Sequence, residues 1–280
     1  MPELNHVDPD LKKYSDSLQL SIQVNLNGFS FCIYPDEGSK ILAFRHYNFA
    51  QSEMQEDLLY NTREILNKDE LLRFFFKNVD VIYTGRKSTL VPDEFFKSEN
   101  LKSILEFNQP IDELDEIHFN SIQGCKSQLV FAIPNYFTSL VLDKFPGAVF
   151  LNQATPLLNY ALSDREGSGK ERVIVQLNKD FFDLIIMREG KLKLYNTFLY
   201  VSSTDLVYFI LYACKQITIN LKKTPLYFLG EYTTQKSLIS ESSLYLPSLE
   251  LLDKTELFPR GYGSKKLDFN RFFTMLYLTL

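Results

Sequence analysis

The 280-residue sequence has no tryptophan, three cysteines and three histidines, and no long apolar run. Three cysteines at wide, irregular spacing are not a disulfide framework, and free cysteines suit a reducing cytoplasm. No histidine has a second ligand-type residue at metal-site spacing, so we predict no metal site. The longest apolar run, Leu206 to Cys214, is far shorter than the roughly 18 residues of a membrane-spanning helix. The N-terminal residues also lack the apolar segment of a signal peptide. We therefore expect a soluble, cytoplasmic protein.

Basic residues are sparse as well, because the formal net charge is −5. The densest basic stretches, such as Lys222-Lys223 and Lys265-Lys266, are short, whereas a nucleic-acid-binding protein usually has a basic patch or stripe. We therefore predict that nucleic acid is not a partner. What the sequence does contain is apolar and aromatic: 45% of the residues are hydrophobic, with 24 phenylalanines and 16 tyrosines. This composition is typical of a globular protein with a large core.

Alternating polar and apolar residues predict a three-stranded antiparallel meander near the start of the chain. Residues 1–16 are polar and are predicted to be poorly ordered. From Leu18 to Val24 apolar residues alternate with polar ones, which is the pattern of a strand. Asn27-Gly28 is a hairpin turn signal. Strands at 29–34 and 41–47 complete the predicted meander.

Helices and further strands are predicted along the rest of the first half. Asn67 followed by Glu70 predicts a capping box that opens a helical segment at 67–76. The other elements, in chain order, are a helix at 58–66, a strand at 79–83, a helix at 93–107, strands at 116–120 and 128–133, a helix at 135–144, a strand at 148–151 and a helix at 155–163.

A charged segment at 164–170 separates the two halves and gives predicted domains at 1–166 and 167–280. Within it, Gly167-Ser168-Gly169-Lys170 resembles the end of a phosphate-binding P-loop. A P-loop needs a preceding strand and a following helix, so that the phosphate meets a helix N-terminus. Here a helix precedes the segment and a strand follows it. We therefore interpret it as a linker.

The second half begins again with three strands. Ser202 and Asp205 predict a capping box for a helix at about 203–222. A strand at 225–229 ends at Gly230. The remaining predicted elements are strands at 172–177, 181–187, 191–198 and 248–252, a helix at 233–241 and a last helix from 268 onward.

The two halves repeat the same order of elements, which favours an internal duplication. Ile22-Gln23-Val24-Asn25 corresponds to Val175-Gln176-Leu177-Asn178. The turn residue Asn27 corresponds to Asp180 in the same alignment. In each half, a later strand ends near a glycine, Gly85 or Gly230.

With these features the chain resembles the actin-like ATPase superfamily. Members of that superfamily carry two ribonuclease-H-like halves, each of which opens with a three-stranded meander. The chain is most similar to the small actin-like proteins of pilus and type II secretion platforms, and to an uncharacterised bacterial family assigned this fold. The resemblance covers the element order from about residue 18 to residue 280. It implies an α/β fold of two ribonuclease-H-like halves, each a meander followed by parallel strands with helices.

The resemblance also implies where a nucleotide would bind. Active members carry an Asp-x-Gly motif in each meander, whose Asp organises Mg²⁺ and whose Gly lets the backbone approach phosphate. The matching positions here are Gln23-Val24-Asn25 and Gln176-Leu177-Asn178, without the acid or the glycine. ATP and Mg²⁺ are therefore not supported as cofactors. The candidate cleft residues are Gln23, Asn25, Gln176, Asn178, Asp180 and Gly230.

Because the acid and the glycine are missing at both positions, we predict that the protein is a non-catalytic or barely catalytic scaffold or interaction module with a protein partner. The alternative is an ATP-dependent kinase or ATPase in which Asp180 or Asp183 takes over the metal role, although both are expected to be solvated. An envelope-associated adaptor is a third hypothesis. Phe272, Phe273 and Leu276 in the last helix follow helical spacing together with Phe269 and Leu280, which favours core packing over a partner-binding groove or a membrane-surface contact.

Overall fold

The computed structural model describes residues 1–36, 40–49, 55–163, 171–230, 236–252 and 270–280. The predicted domain boundary and the P-loop-like sequence fall within 164–170 and so lie outside the described residues. Within the described ranges, no helix is both long enough and apolar enough to cross a membrane.

In the described residues, the first half of the chain forms a six-stranded sheet and four α-helices. The strands are β1 (Leu4–Val7), β2 (Leu18–Asn25), β3 (Gly28–Pro35), β4 (Ala43–Asn48), β5 (Asn78–Tyr83) and β9 (Val149–Asn152). The helices are α1 (Gln55–Lys68), α2 (Leu101–Asn108), α3 (Asn135–Lys144) and α4 (Ala154–Leu162). The order across the sheet is β1-β4-β3-β2-β5-β9. Strands β2, β3 and β4 form the predicted antiparallel meander, and β5 and β9 extend the sheet in parallel with β2.

The second half repeats this connectivity in a five-stranded sheet. Its strands are β10 (Arg172–Leu177), β11 (Phe181–Arg188), β12 (Lys191–Leu199), β13 (Leu226–Gly230) and β14 (Leu249–Leu251), and its helices are α5 (Ser203–Gln216), α6 (Lys236–Ser243) and α7 (Phe273–Tyr277). The order across this sheet is β12-β11-β10-β13-β14. Again the first three strands are antiparallel and the next two run parallel with the first of them.

A third, three-stranded sheet is inserted in the first half between β5 and α3. Its strands are β6 (Ser88–Pro92), β7 (Asp115–Ile122) and β8 (Ser127–Pro134), in the order β6-β8-β7. Helix α2 packs on this sheet, where Leu101 and Leu105 contact Val130 in a small separate core. The insertion therefore has packing of its own.

The two large sheets bury both of their faces, because side chains alternate in direction along each strand. Leu20 and Ile22 on β2 pack in a core with α1 and α3. Val173 and Val175 on β10 pack in a core with α5. The opposite faces meet α4 and α7 in a shared core that contains strand residues of both halves. The inner faces of both sheets thus point toward one central layer of two helices.

Helix α7 packs against α4 and against strands β2 and β3 of the first half. The ring of Phe273 meets Tyr160 of α4 edge-to-face at a centroid distance of 4.9 Å, and Phe272 meets Phe44 of β4 at the same distance. Phe272, Phe273 and Leu276 are buried. The prediction of core packing is confirmed for these three residues and is wrong for Leu280, which is exposed. Phe269 lies outside the described residues.

The prediction of a poorly ordered N-terminal segment is wrong. Strand β1 pairs antiparallel with β4, with Leu4 opposite His46. Asn5 Oδ1 accepts a 2.9 Å hydrogen bond from Arg45 Nε. The polar composition of this segment gave no sign that a free sheet edge, distant in sequence, would provide hydrogen-bond partners.

Several predicted helix bounds also change. The capping box at Asn67 and Glu70 does not form, because α1 continues to Lys68; Asp69 instead accepts a hydrogen bond from Leu71 N and caps a short 3-10 helix, Glu70–Arg73. The helix predicted at 93–107 begins only at Leu101, and a short 3-10 helix, Ser98–Asn100, precedes it. Helix α5 ends at Gln216.

The capping box predicted at Ser202 is confirmed. The Ser202 side chain accepts from Asp205 N, and the Asp205 carboxylate accepts from Ser202 N. A local motif of this kind needs only residues within one helical turn, so the sequence alone could specify it.

Candidate functional site

In each half, three buried or half-buried polar residues lie side by side on the meander strands and face the central helical layer. In the first half they are Gln23, Ser30 and His46, which are register partners across β2, β3 and β4; we call them the first polar row. In the second half they are Gln176, Asp183 and Thr197 across β10, β11 and β12; we call them the second polar row. The two rows occupy corresponding places in the two sheets.

The first polar row is contacted by residues at the start of α7. Thr274 Oγ1 donates to Gln23 Oε1 at 3.2 Å. Arg271 Nη2 lies 3.0 Å from His46 Nε2, and His46 Nδ1 lies 2.8 Å from Ser30 Oγ. Because a guanidinium can only donate, Nε2 accepts and Nδ1 carries the proton.

This tautomer decides what the Ser30–His46 pair can do. The Nδ1–H group donates to the Ser30 hydroxyl oxygen and so cannot remove its proton. Burial, together with the nearby Arg271 charge, lowers the pKa of His46 to about 3, so the ring is neutral in ordinary conditions. The pair is therefore a structural contact and not an activated serine.

The second polar row is centred on a fully buried carboxylate. Asp183 Oδ2 accepts from Gln153 Nε2 at 2.9 Å, and Asp183 Oδ1 accepts from Thr197 Oγ1 at 2.7 Å and Tyr195 OH at 3.3 Å. Burial raises the pKa of Asp183 to about 6, against the lowering effect of these three hydrogen bonds. The expectation that Asp183 is a solvated strand residue is wrong, because the start of α4 covers it. Asp180, in the β10–β11 turn, is exposed as expected.

Gln153, the residue before α4, joins this row to the first half. Its Oε1 accepts from Gly85 N at 3.1 Å, and its Nε2 donates to Gly85 O at 3.1 Å as well as to Asp183. Asn152 Nδ2 lies 3.3 Å from the same Gly85 oxygen. Gln153 is fully buried, and its hydrogen bonds fix the position of α4 relative to both sheets.

The last helix of each half therefore reaches the polar row of the other half. Gln153 at the start of α4 contacts Asp183, and Arg271 and Thr274 at the start of α7 contact His46 and Gln23. Sequence analysis did not identify Gln153, Arg271 or Thr274. None belongs to a motif, and the sequence predicted only that a helix begins at 155, shortly after Gln153.

The six candidate cleft residues fall into two environments. Gln23 and Gln176 are buried within the rows, with 8% and 3% of their surface exposed. The other four lie near the strand ends: Asn25 at the end of β2, Asn178 just beyond β10, Asp180 in the turn and Gly230 at the end of β13. Among the described residues, Gln176 Oε1 has no hydrogen-bond partner.

Gly230 has a specific structural requirement. Its φ is +99°, and a Cβ atom there would lie 2.2 Å from Leu177 O on the neighbouring strand. In the parallel pairs, Leu177 is opposite Gly230, whereas the corresponding Val24 is opposite Tyr83. The residue of the first half that matches Gly230 is therefore Tyr83, and not Gly85 as the sequence alignment predicted.

The described residues contain no group of three or more histidine, cysteine, aspartate or glutamate side chains placed to hold a metal ion. The only carboxylate in the two polar rows is that of Asp183. The site consists mainly of amides and hydroxyls, which exchange hydrogen bonds and carry no charge.

Comparison with known proteins gives the family and the fold. The model of a protein family of unknown function, DUF3822, matches residues 9–249. A crystal structure of a protein of unknown function with an actin-like ATPase fold, from Bacteroides thetaiotaomicron, is 21% identical, with 96% of this chain and 98% of that chain covered and a TM-score of 0.79. A structure of the PilM–PilN type IV pilus biogenesis complex is 13% identical, with 94% and 97% covered and a TM-score of 0.59. No protein with a curated description matches the sequence. The fold is the actin-like ATPase fold.

Proposed function

This chain belongs to the DUF3822 family, and from that premise and its actin-like ATPase fold we propose that it is a non-catalytic scaffold or interaction module. It binds nucleotide weakly or not at all. The observation that carries the proposal is the pair Gln23 and Gln176: both positions that correspond to the aspartates of active members hold buried, neutral amides.

The chemistry of these amides supports the proposal. Mg²⁺ prefers carboxylate oxygens and keeps a near-ideal octahedral shell. Gln23 Oε1 already accepts from Thr274, and Gln176 supplies no negative charge. An amide pair in this layer is therefore suited to hold helices in place and poorly suited to hold a cation with a triphosphate.

The alternative enzyme function would need Asp180 or Asp183 as the metal ligand. Asp183 is fully buried and accepts from Gln153, Thr197 and Tyr195. Turning it toward a cation would break these three hydrogen bonds and leave the fully buried Gln153 amide with an unpaired N–H, which alone costs about 1–3 kcal/mol. Asp180 is exposed on its turn, and the only carboxylate in the polar rows that could assist it, that of Asp183, already accepts hydrogen bonds from Gln153, Thr197 and Tyr195.

Gly230 supports the same conclusion. A glycine at this point could indicate close approach to phosphate, but its contact with Leu177 O already requires glycine. The strand packing accounts for this residue without a ligand.

The proposed partner is another protein, and the proposed location is the bacterial cytoplasm. One structure with this fold is a complex of two pilus biogenesis proteins, which is the motive for proposing an interaction role. We also propose that the two halves arose by duplication of one ribonuclease-H-like domain, with the boundary near 166/167, since they share strand order and place their polar rows alike.

Calorimetry with Mg-ATP, combined with a phosphate-release assay, tests the proposed function. We expect no turnover and, at most, binding in the millimolar range. Turnover that disappears in Asp180→Ala or Asp183→Asn, and persists in the exposed-surface control Asp143→Ala, would establish the enzyme alternative instead.

A further inference from the structure

A cavity of about 690 Å³ lies between the inserted sheet and the sheet of the second half. Strand β6 is an edge of the inserted sheet, and β12 is an edge of the second-half sheet. The volume is within the range of about 300–1,000 Å³ that is usual for ligand sites. The cavity is thus bounded by two strands that each have one unpaired side within the described sheets.

The lining residues show that the cavity meets the edges of these strands and not their faces. All five residues from Arg86 to Leu90 line it, and so do all five from Tyr195 to Leu199. Successive side chains on a strand point to opposite faces, so a continuous run of lining residues means that the backbone edge itself borders the space. On an edge strand, alternate N–H and C=O groups have no neighbouring strand and are available for pairing.

The two edges differ in how far they are covered. On the β6 side, Gln109 Nε2 donates to Ser88 O at 2.7 Å, and Ser88 Oγ lies 2.8 Å from Tyr195 OH. These contacts close the cavity where the strands meet. Among the described residues, no side chain bonds to the backbone of 196–199, so β12 is the edge that remains open.

The walls of the cavity contain an apolar part and a cationic residue. Phe198 stacks on Phe209 at a centroid distance of 4.9 Å and, with Leu199, forms the apolar part. Arg86 also lines the cavity; it is exposed and makes no ion pair with a described residue, whereas the neighbouring Lys87 is held by Asp112 and Asp115. The cavity therefore favours a ligand that has both apolar and acidic side chains.

We propose that this cavity binds an extended peptide segment of a partner protein, which pairs as an added strand with the open edge of β12. Five residues at about 3.3 Å per residue span about 16 Å, so a segment of about this length matches the lining run. Main-chain hydrogen bonds to β12 supply affinity, and the apolar and cationic side chains of the wall select the sequence, as in other cases of strand addition. The inference deepens the proposed interaction role by naming the class of partner.

The same cavity is connected to the contact between the halves. Tyr195 and Thr197 line it, and both donate to Asp183, which accepts from Gln153 of the first half. A peptide on β12 would therefore lie beside Tyr195 and Thr197, whose hydrogen bonds to Asp183 connect the cavity to the contact between the two halves.

The test uses the full-length protein and a phage-displayed library of random peptides about ten residues long. Enriched peptides are synthesised, and their affinities are measured by fluorescence polarisation. We expect enriched sequences that combine apolar and acidic residues, and binding that weakens roughly tenfold or more in Asn196→Trp, which fills the cavity mouth. Lys193→Trp, an exposed position on the same strand outside the cavity, should bind as the unmodified protein does.

A second variant keeps the test decisive if Asn196→Trp folds poorly. Arg86→Glu should weaken binding of the acidic peptides, while the exposed-helix control Arg63→Glu should not. Hydrogen exchange should slow, when peptide is added, at those amides of 195–199 that do not pair with β11.

Three results would overturn the inference. They are a library without enriched peptides, equal binding by the cavity and control variants, and protection without peptide of those amides of 195–199 that do not pair with β11. The last would mean that another part of this chain or a second copy covers the edge. ATP turnover would contradict the proposed function and leave these outcomes unchanged, so the two failures are distinguishable.

Discussion

Gln153 Nε2 donates a 2.9 Å hydrogen bond to Asp183 Oδ2, and this bond joins the two halves of the chain. Both side chains are fully buried. Gln153 also forms hydrogen bonds with the backbone N–H and C=O groups of Gly85. The contact therefore links the segment after β5, the start of α4 and the sheet of the second half. The central layer is thus fixed by polar contacts as well as by its apolar core.

Asp183 should make stability depend on pH. Its folded-state pKa, about 6, is above the ordinary value of 3.8, so the folded protein holds this proton more tightly than the unfolded chain. Protonated Asp183 therefore contributes to the free energy of unfolding in full below about pH 4, and this contribution is lost as the pH rises through about 6. The difference in free energy of unfolding between the unmodified protein and Asp183→Asn should fall by about 3 kcal/mol from pH 4 to pH 7.5.

Urea unfolding at the two pH values measures this difference. Asp143→Asn, which changes an exposed acid, serves as the control and should show a much smaller pH effect. An equal difference at pH 4 and pH 7.5 for Asp183→Asn would contradict the assignment.

Gln153→Ala should destabilise the protein by about 3 kcal/mol at pH 7.5, because it leaves buried groups of Gly85 and Asp183 without their partner. Gln123→Ala alters an exposed glutamine and should change the free energy of unfolding by less than about 0.5 kcal/mol. Chemical denaturation of both variants tests the difference. Similar values for the two would show that the bridge contributes little.

Gly230→Ala and Gly147→Ala should have opposite effects. A Cβ at Gly230 would meet Leu177 O at 2.2 Å with φ at +99°, whereas a Cβ at Gly147 would meet nothing within 4 Å. We expect Gly230→Ala to lose about 3 kcal/mol or more. Gly147→Ala should be neutral or gain about 0.5 kcal/mol, because it restricts the unfolded chain. Thermal unfolding of both variants would distinguish them, and a stable Gly230→Ala protein would refute the steric argument.

Arg45 and Asp69 form a buried ion pair at 2.6 Å, and the Asp69 side chain is not exposed at all. Arg45→Met leaves that carboxylate without its cation and should cost about 3–5 kcal/mol. Asp69→Asn added to Arg45→Met should recover part of this loss, because no buried charge remains. Unfolding measurements on both single variants and the double variant give the coupling.

An exposed pair provides the control. Lys68 and Glu64 are one turn apart on α1, with side chains 74% and 36% exposed. Lys68→Met should therefore cost only about 0.5 kcal/mol. If Arg45→Met cost no more than this, the buried pair would not be a stabilising contact.

Much of the architecture was predictable from local patterns. The alternation around Gln23 and around Gln176 predicts strands, and Ser202 with Asp205 predicts a helix start, because each signal involves neighbouring residues. Strand β1 was not predictable, since its partner β4 is distant in sequence and its own composition is polar.

The site was predictable only in part. The sequence identifies the two amides that replace the acids of active members, because those residues lie in matching strands. It did not identify Gln153, Arg271 or Thr274, whose contacts depend on where α4 and α7 pack. It also placed Asp183 in solvent.

The sequence by itself determined the two meanders, the neutral amides within them and the order in which helices and strands follow. Only the tertiary structure decided which strand faces are buried. Side chains alternate between the two faces of every strand, and a face becomes buried only where another element packs on it. By lying between the sheets, α4 and α7 turned the polar face that contains Asp183 into an interior. The packing of elements distant in sequence therefore fixed the environment of the site.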